Sequence, residues 1–301
     1  MTSKTVMRIM VGFYILLFFG YLFGPLLLMG ASAFNTSTFP QVAPWEGFTV
    51  KWFGALLANS AMVEGFWNSI WIGLGVICLA VPISLAAALM MTQVYEHVRP
   101  FYYTIVVSPV LIPGVILGLS TVVFWDKIGA MVEADFDTSW FYDGMFLTIV
   151  GQSTFISAYC MLIFLARLQR FDRNLEEAAL DLGATNVQVF WKILIPFLRP
   201  AIFSAAVLAF LTSFENYNTT VFTIGSDSTL TTVLSGQIRL GTKPDVSALA
   251  VIIVAITLVG ATVHEVIRRR EMAREEAARE AARRAEMAID MKLAATPAAA
   301  S

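Results

Sequence analysis

Residues 167–202 form a charged segment between two apolar runs and read RLQRFDRNLEEAALDLGATNVQVFWKILIPFLRPAI. Asp172 or Asn174 can cap a helix here, because their short polar side chains accept hydrogen bonds from free backbone amides. The apolar residues of that helix share one face: Leu175, Ala178, Ala179 and Leu182. Gly183 predicts its end, since glycine readily adopts the left-handed conformation. A second short apolar pattern follows, and Pro196 is expected to stop it. The segment therefore predicts two short amphipathic helices joined by a sharp turn.

The rest of the chain has the composition of a membrane protein. Of its 301 residues, 57% are hydrophobic and 14% are charged, against about 25% charged in soluble domains. A helix needs about 20 apolar residues to cross a bilayer. The apolar stretches predict six such helices, at residues 9–32, 67–93, 102–125, 144–166, 199–224 and 246–267. We therefore expect an all-α protein with several membrane spans, which excludes a water-soluble enzyme.

The distribution of lysine and arginine predicts the orientation of the spans. Lys4 and Arg8 precede a first apolar run that is longer than the roughly 7–15 residues of a signal peptide, so we expect an uncleaved helix. With the N-terminus in the cytoplasm, six spans place both termini and the 167–199 loop inside. The loops assigned to the outside then carry only Lys51, Lys127, Arg239 and Lys243. This is the positive-inside bias expected for that orientation.

Two prolines four residues apart interrupt the third predicted span. Pro109 and Pro113 each lack a backbone N–H, so a bend or break is expected there. Such breaks persist at membrane depth where the freed carbonyls face protein or a wet cavity. The pattern leaves two interpretations open, a packing kink or a helix that lines a transport path.

The sequence predicts neither a catalytic nor a metal site. Cys78 and Cys160 each fall within an apolar span and are interpreted as core residues, and the two histidines are isolated. The chain also lacks a G-x-x-x-x-G-K-[ST] phosphate loop. We therefore expect no enzymatic activity, no bound cofactor and no ATP hydrolysis by this chain.

The 167–202 segment resembles the EAA loop of ABC-importer permeases, whose signature is E-A-A-x₃-G-x₉-I-x-L-P. The residues at the signature positions are Glu177, Ala178, Ala179, Gly183, Ile193 and Pro196. The one departure is Ile195, which stands where the family has leucine. The resemblance implies the six-helix metI-like fold of a type I ABC permease, whose loop helix inserts into a groove of an ATPase subunit. From the residues alone, an amphipathic helix on the bilayer surface is the alternative.

The resemblance also implies a domain organisation and a set of partners. Residues 1–59 would form an N-terminal transmembrane helix and external loop, 60–267 the permease core, and 268–301 a charged cytoplasmic helical tail. The chain would pair with a second, non-identical permease and with two ATPase subunits that bind ATP and Mg²⁺. An external solute-binding protein would deliver the solute, the location would be the bacterial inner membrane with its lipid, and no nucleic acid is expected.

The region 213–252 resembles polyamine (spermidine/putrescine) permeases, although permeases for ferric iron, thiamine and opine-type or amino-acid-like solutes share much of it. Glu215 interrupts the fifth predicted span sixteen residues after Arg199, about 24 Å along a helix. An acid at that depth usually faces the bundle interior or a cavity. The candidate residues of a translocation path are Glu215, Asn216, Asn218, Pro109 and Pro113. A structural hydrogen bond or a contact with the partner permease is the alternative for Glu215.

A stand-alone secondary transporter is the rival function. It would require several ionisable residues within the spans, often in repeated halves. Here Glu215 is the one such residue away from the ends of the predicted spans, and no internal repeat is evident.

Overall fold

The computed structural model describes residues 3–132, 139–241, 243–260, 262, 265 and 266. Its helices are α1 (Ser3–Ser32), α2 (Lys51–Ala58), α3 (Ser60–Gln93), α4 (Arg99–Leu111), α5 (Gly114–Val132), α6 (Gly144–Leu168), α7 (Asn174–Asp181), α8 (Asn186–Val189), α9 (Ile195–Phe214), α10 (Thr220–Thr223), α11 (Leu230–Leu240) and α12 (Pro244–Gly260). A 3₁₀ turn covers Ser139–Tyr142, and a π-helical turn, Phe190–Leu194, joins α8 to α9. The tail predicted at 268–301 lies outside the described residues.

Five of the described helices are long and apolar enough to span a membrane. They are Lys4–Ser32, Ser60–Gln93, Gly114–Val132, Gly144–Leu168 and Asn186–Phe214, and the shorter apolar helix Pro244–Gly260 covers most of the sixth predicted span. The all-α membrane fold predicted from the apolar stretches is therefore confirmed.

The chain divides into two compact units. Residues 54–242 form one, and residues 1–53 together with 243–301 form the other. In the 54–242 unit, α3, α6 and α9 pack around a core that includes Ile72, Val76, Ile156 and Phe164. The buried α9 residues of this core are Ala201, Ala205 and Ala209, spaced one turn apart. Their small side chains let helices approach closely, as packing within a membrane requires.

In the other unit, the loop after α1 is organised by the buried side chain of Asn35. Its amide donates to the carbonyls of Gln41 and Pro44, and its Oδ1 accepts from the Glu46 amide at 3.0 Å. The Trp52 indole donates to the Asn35 carbonyl at 2.8 Å. One asparagine thus fixes the shape of a loop that carries exposed aromatic side chains at Phe39, Trp45 and Phe48.

The third predicted span, 102–125, is divided. α4 ends at Leu111, Ile112 is extended, and α5 starts after Pro113. The expected break is confirmed. The Ile112 amide donates to the Pro109 carbonyl at 3.3 Å, which satisfies one of the backbone groups that the break would free.

Two predicted boundaries around the fifth span are wrong. Pro196 does not stop a helix, because Asn186–Phe214 is continuous. The π turn at Phe190–Leu194 widens the backbone just before the proline ring, and such turns accommodate interruptions of the helical hydrogen-bond ladder. At the other end, the helix stops at Phe214 and does not continue to residue 224. Asn216 competes for the amides that would extend it, by accepting from Thr219 and Thr220.

Candidate functional site

The N-cap residue of α7 is Arg173, whose side chain makes no capping hydrogen bond, and not Asp172 or Asn174 as the sequence predicts. The Asp172 carboxylate, one residue earlier, accepts from the Asn174 amide at 3.0 Å. Glu176 and Glu177 lie in the first turn, where the helix dipole favours negative charge. The start of α7 is thus stabilised by local hydrogen bonding and by charge.

Gly183 ends α7 in the left-handed conformation, with φ of +84°. The Gly183 amide donates to the Leu180 carbonyl at 2.9 Å, and the Ala184 amide donates to the Ala179 carbonyl at 3.0 Å. This pair of bonds is a Schellman motif, so the predicted helix end is confirmed. Within the part of the chain that the structure describes, no atom would lie within 4 Å of a Cβ on Gly183, which means that backbone conformation and not space requires glycine here.

Helix α8 follows directly and merges with the fifth span. Thr185 and Gln188 form a capping box at its start, with bonds of 3.0 and 3.3 Å. Because Asn186–Phe214 is one continuous helix, α8 is the first part of the span, and α7 is connected to it through a single turn at Gly183. A displacement of α7 therefore reaches the span through this one turn.

Side-chain contacts attach the segment to the end of the helical bundle. Arg173 donates to the Thr92 carbonyl at the end of α3, at 3.3 Å. The Arg167 guanidinium lies 4.2 Å above the Phe197 ring and donates to the Phe197 carbonyl. The Phe171 ring contacts the same ring at a centroid distance of 5.0 Å. These contacts hold both ends of the segment while leaving α7 exposed.

No residue of α7 is buried. Leu175 is 52% exposed and Leu182 is 89% exposed, although the sequence pattern places both on the apolar face. Of the predicted apolar face only Ala179 is partly buried, together with Glu176, which the pattern places away from that face. Most of the apolar face predicted for α7 is thus not covered by the described part of this chain.

The structure groups only some of the signature residues. Glu177, Ala178 and Ala179 lie on α7, and Gly183 lies in the turn that follows. The other two, Ile193 and Pro196, are half-buried in the π turn and the first turn of α9. They therefore lie at the start of the fifth span and not on the exposed surface of α7.

A second cluster surrounds the end of α9. Asn216 is half-buried, and its Oδ1 accepts from the Thr219 amide at 3.1 Å. Its carbonyl accepts from the Thr220 hydroxyl at 2.8 Å and from the Thr231 hydroxyl at 3.0 Å. Asn216 therefore organises the turn that follows Phe214.

Glu215 and Asn218 flank Asn216 and are both exposed. Asn218 lies against the break in the third span, since a Cβ on Gly114 would be 3.0 Å from the Asn218 Cβ. A Cβ on Gly118 would be 2.7 Å from the Thr219 carbonyl oxygen. The break at Pro113 thus sets the start of α5 against the turn that carries Glu215 and Asn218, whereas Pro109 lies one turn away within α4.

Buried polar residues beneath this turn were not predicted from the sequence. Gln152, in the middle of α6, donates to the Thr220 hydroxyl at 2.8 Å and accepts from the Ser213 hydroxyl. The Thr148 and Thr223 hydroxyls share a hydrogen bond of 2.8 Å. The available signal was Gln152 itself, because an amide inside an apolar span requires partners from other helices.

The comparisons with known proteins agree with this architecture. The family described as "Binding-protein-dependent transport system inner membrane component" matches residues 79–272. The putrescine transport system permease protein PotI of Escherichia coli K12 is 31% identical, over 86% of this chain and 91% of that protein. The spermidine/putrescine transport system permease protein PotC of the same strain is 25% identical, over 87% of this chain and 95% of its own length.

Solved structures show the same fold. A chain of a bacterial ABC transporter that imports alginate superposes with a TM-score of 0.63 at 12% identity, over 89% of this chain and 98% of that one. A second alginate transporter structure, in complex with a pentasaccharide-bound periplasmic protein, also gives 0.63, at 19% identity and over 85% and 91% of the two chains. Taken with the family match, they show that this chain belongs to the binding-protein-dependent transport system inner membrane components and is a multi-pass permease subunit.

Proposed function

We propose that this permease imports a polyamine such as putrescine or spermidine, driven by ATP hydrolysis on two separate ATPase subunits that bind ATP and Mg²⁺. The observation that carries the ATP coupling is the exposed surface of α7. Its apolar side chains at Leu175 and Leu182 lie uncovered, and its turn at Gly183 leads into a helix that continues to Phe214.

The coupling proposal follows from this continuity. An ATPase groove that accepts α7 would move it when the ATPase dimer closes on ATP. The small Ala178 side chain is exposed and permits close approach, while the exposed Glu177 carboxylate offers a charged hydrogen bond. The continuous helix from Asn186 would carry the displacement to the turn that holds Glu215.

The polyamine assignment has two supports. PotI and PotC carry putrescine and spermidine in their names. In this chain, an exposed carboxylate at Glu215 stands at the end of the fifth span beside the break in the third span. An exposed carboxylate at the end of a span is a suitable group to attract a cationic solute by its charge.

We further propose that a second, non-identical permease completes the path and that an external binding protein delivers the solute. Both termini and the 167–199 loop would then lie in the cytoplasm, as the distribution of basic residues favours.

Replacement of Glu177 tests the coupling. We expect Glu177→Ala to lower recovery of the ATPase subunits with the detergent-solubilised permease by about tenfold, since a charged hydrogen bond contributes about 1.5 kcal/mol or more. ATP-dependent putrescine uptake into proteoliposomes should fall with it. Asp181→Ala is the matched control, because Asp181 is exposed at the other end of the same helix. Equal recovery and uptake for Glu177→Ala and the wild type would contradict the proposal.

A further inference from the structure

A cavity of about 470 Å³ lies at the end of α3, the start of α4 and the end of α6, beside the residues that precede α7. Its polar lining residues are Thr92, Arg99, Tyr103, Gln169 and Arg173. The remaining lining is apolar and includes Met91, Leu165 and Phe171. The cavity therefore combines hydrogen-bond donors and two guanidinium groups with an apolar wall.

The lining is positively charged. Arg99 and Arg173 both contribute to it, and among the residues that the structure describes no carboxylate does so. Glu176 lines the adjacent cavity, which shares Arg173. The Asp172 carboxylate is engaged by the Asn174 amide. One N–H of Arg173 donates to the Thr92 carbonyl at 3.3 Å, which leaves the other N–H groups of the guanidinium for a ligand.

The cavity lies at one end of an apolar helix long enough to cross a bilayer. Met91 and Thr92, which line it, are in the last turn of the 34-residue helix α3. On the neighbouring helix α4, Phe101 and Ile105 are exposed apolar residues. A ligand that fills the polar end of the cavity while resting on its apolar wall must itself be amphiphilic. Basic pockets between transmembrane helices bind anionic headgroups in this way.

We propose that the cavity binds the phosphodiester headgroup of an anionic phospholipid. Arg99 and Arg173 pair with the phosphate oxygens, the Tyr103 hydroxyl and the Gln169 amide donate to them, and an acyl chain rests on the apolar wall. Because Arg173 immediately precedes α7, a bound lipid also ties the start of α7 to the end of α3. Only this consequence for coupling rests on the proposed function.

Lipid binding to the purified full-length chain in neutral detergent tests the site. Native mass spectrometry measures the affinity for phosphatidylglycerol and for phosphatidylcholine with the same acyl chains. We expect phosphatidylglycerol to bind about fivefold more tightly than phosphatidylcholine. Arg99→Gln should lower the affinity for phosphatidylglycerol about fivefold, as expected for one basic residue near an anionic headgroup. Arg173→Gln should lower this affinity by a similar factor. Arg170→Gln is the control, because Arg170 is exposed on the same segment but does not line the cavity.

Three results would overturn the proposal. One is equal affinity for the two lipids, and another is a loss with Arg170→Gln as large as with Arg99→Gln, which would indicate diffuse attraction to a basic surface. The third is displacement of phosphatidylglycerol by millimolar inorganic phosphate, which would identify a soluble anion as the ligand. Thermal unfolding of each variant checks that the fold is kept. The assay requires neither ATPase nor transported solute, so failure of the proposed function leaves it unaffected.

Discussion

Substitution of Gly183 should change the orientation of α7 while leaving the stability of the permease nearly unchanged. The residue has φ of +84°, and no atom of the described residues lies within 4 Å of a Cβ built on it. An alanine there consequently meets no steric obstacle and carries only the conformational cost of the left-handed region, about 1–2 kcal/mol. That cost changes the population of the turn about 5–30-fold. It acts on the turn alone, because α7 buries no residue against the described chain.

We therefore expect Gly183→Ala to insert, fold and melt nearly as the wild type does while transporting less solute per ATP hydrolysed. Gly183→Val should lower that ratio further, because a β-branched residue is a stronger outlier at positive φ. Gly183→Asn should restore most of it, since asparagine adopts the left-handed conformation more readily. The ratio is measured in proteoliposomes that contain the complete importer, with putrescine uptake and phosphate release followed in parallel.

The opposite pattern would refute the reasoning. If Gly183→Ala and Gly183→Val keep the wild-type ratio, the Schellman turn does not set the coupling geometry. If they fail to insert or to fold, the turn has a structural role and the account of α7 as an independent coupling element is wrong.

Two further substitutions test the translocation turn and the packing beneath it. Glu215→Gln should raise the apparent KM for putrescine uptake about tenfold, as expected for the loss of a charged hydrogen bond. Asp227→Asn is the control in the same uptake assay, because Asp227 is also exposed. A Cβ on Gly144 would overlap the Ile224 carbonyl oxygen, so Gly144→Ala should destabilise the protein by about 1–3 kcal/mol. Gly236→Ala meets no atom within 4 Å and should be neutral or slightly stabilising in the same thermal-unfolding assay. Wild-type KM for Glu215→Gln, or equal melting of the two alanine variants, would contradict these expectations.

The arrangement around Asn216 changes the interpretation of the candidate path. The sequence placed three polar residues together within the fifth predicted span, but their environments differ. Asn216 accepts hydrogen bonds from neighbouring amides and hydroxyls and so has a structural role, while Glu215 and Asn218 remain exposed. The buried hydrogen bonds of Gln152 connect α6 to the same turn. The turn after Phe214 is therefore held by hydrogen bonds from other helices, and a movement of α9 would displace it.

The sequence by itself determined features whose causes are local. Apolar length predicted the spans because crossing a bilayer requires a fixed rise along a helix. Gly183 predicted the end of α7, and Pro113 predicted the break in the third span, because both act on their own backbone conformation. The EAA spacing is likewise a property of consecutive residues.

Only the structure decided how competing local signals resolve: the helix continues through Pro196 after a π turn and ends at Phe214 where Asn216 accepts from following amides. It also decided contacts between residues far apart in the chain, such as the hydrogen bonds of Gln152 with Ser213 and Thr220. The uncovered apolar face of α7 and the joint cavity of Arg99 and Arg173 are not visible in the pattern either. Periodicity predicts which side chains share a face. The burial and charge pairing of those side chains depend on the other residues that folding places against that face.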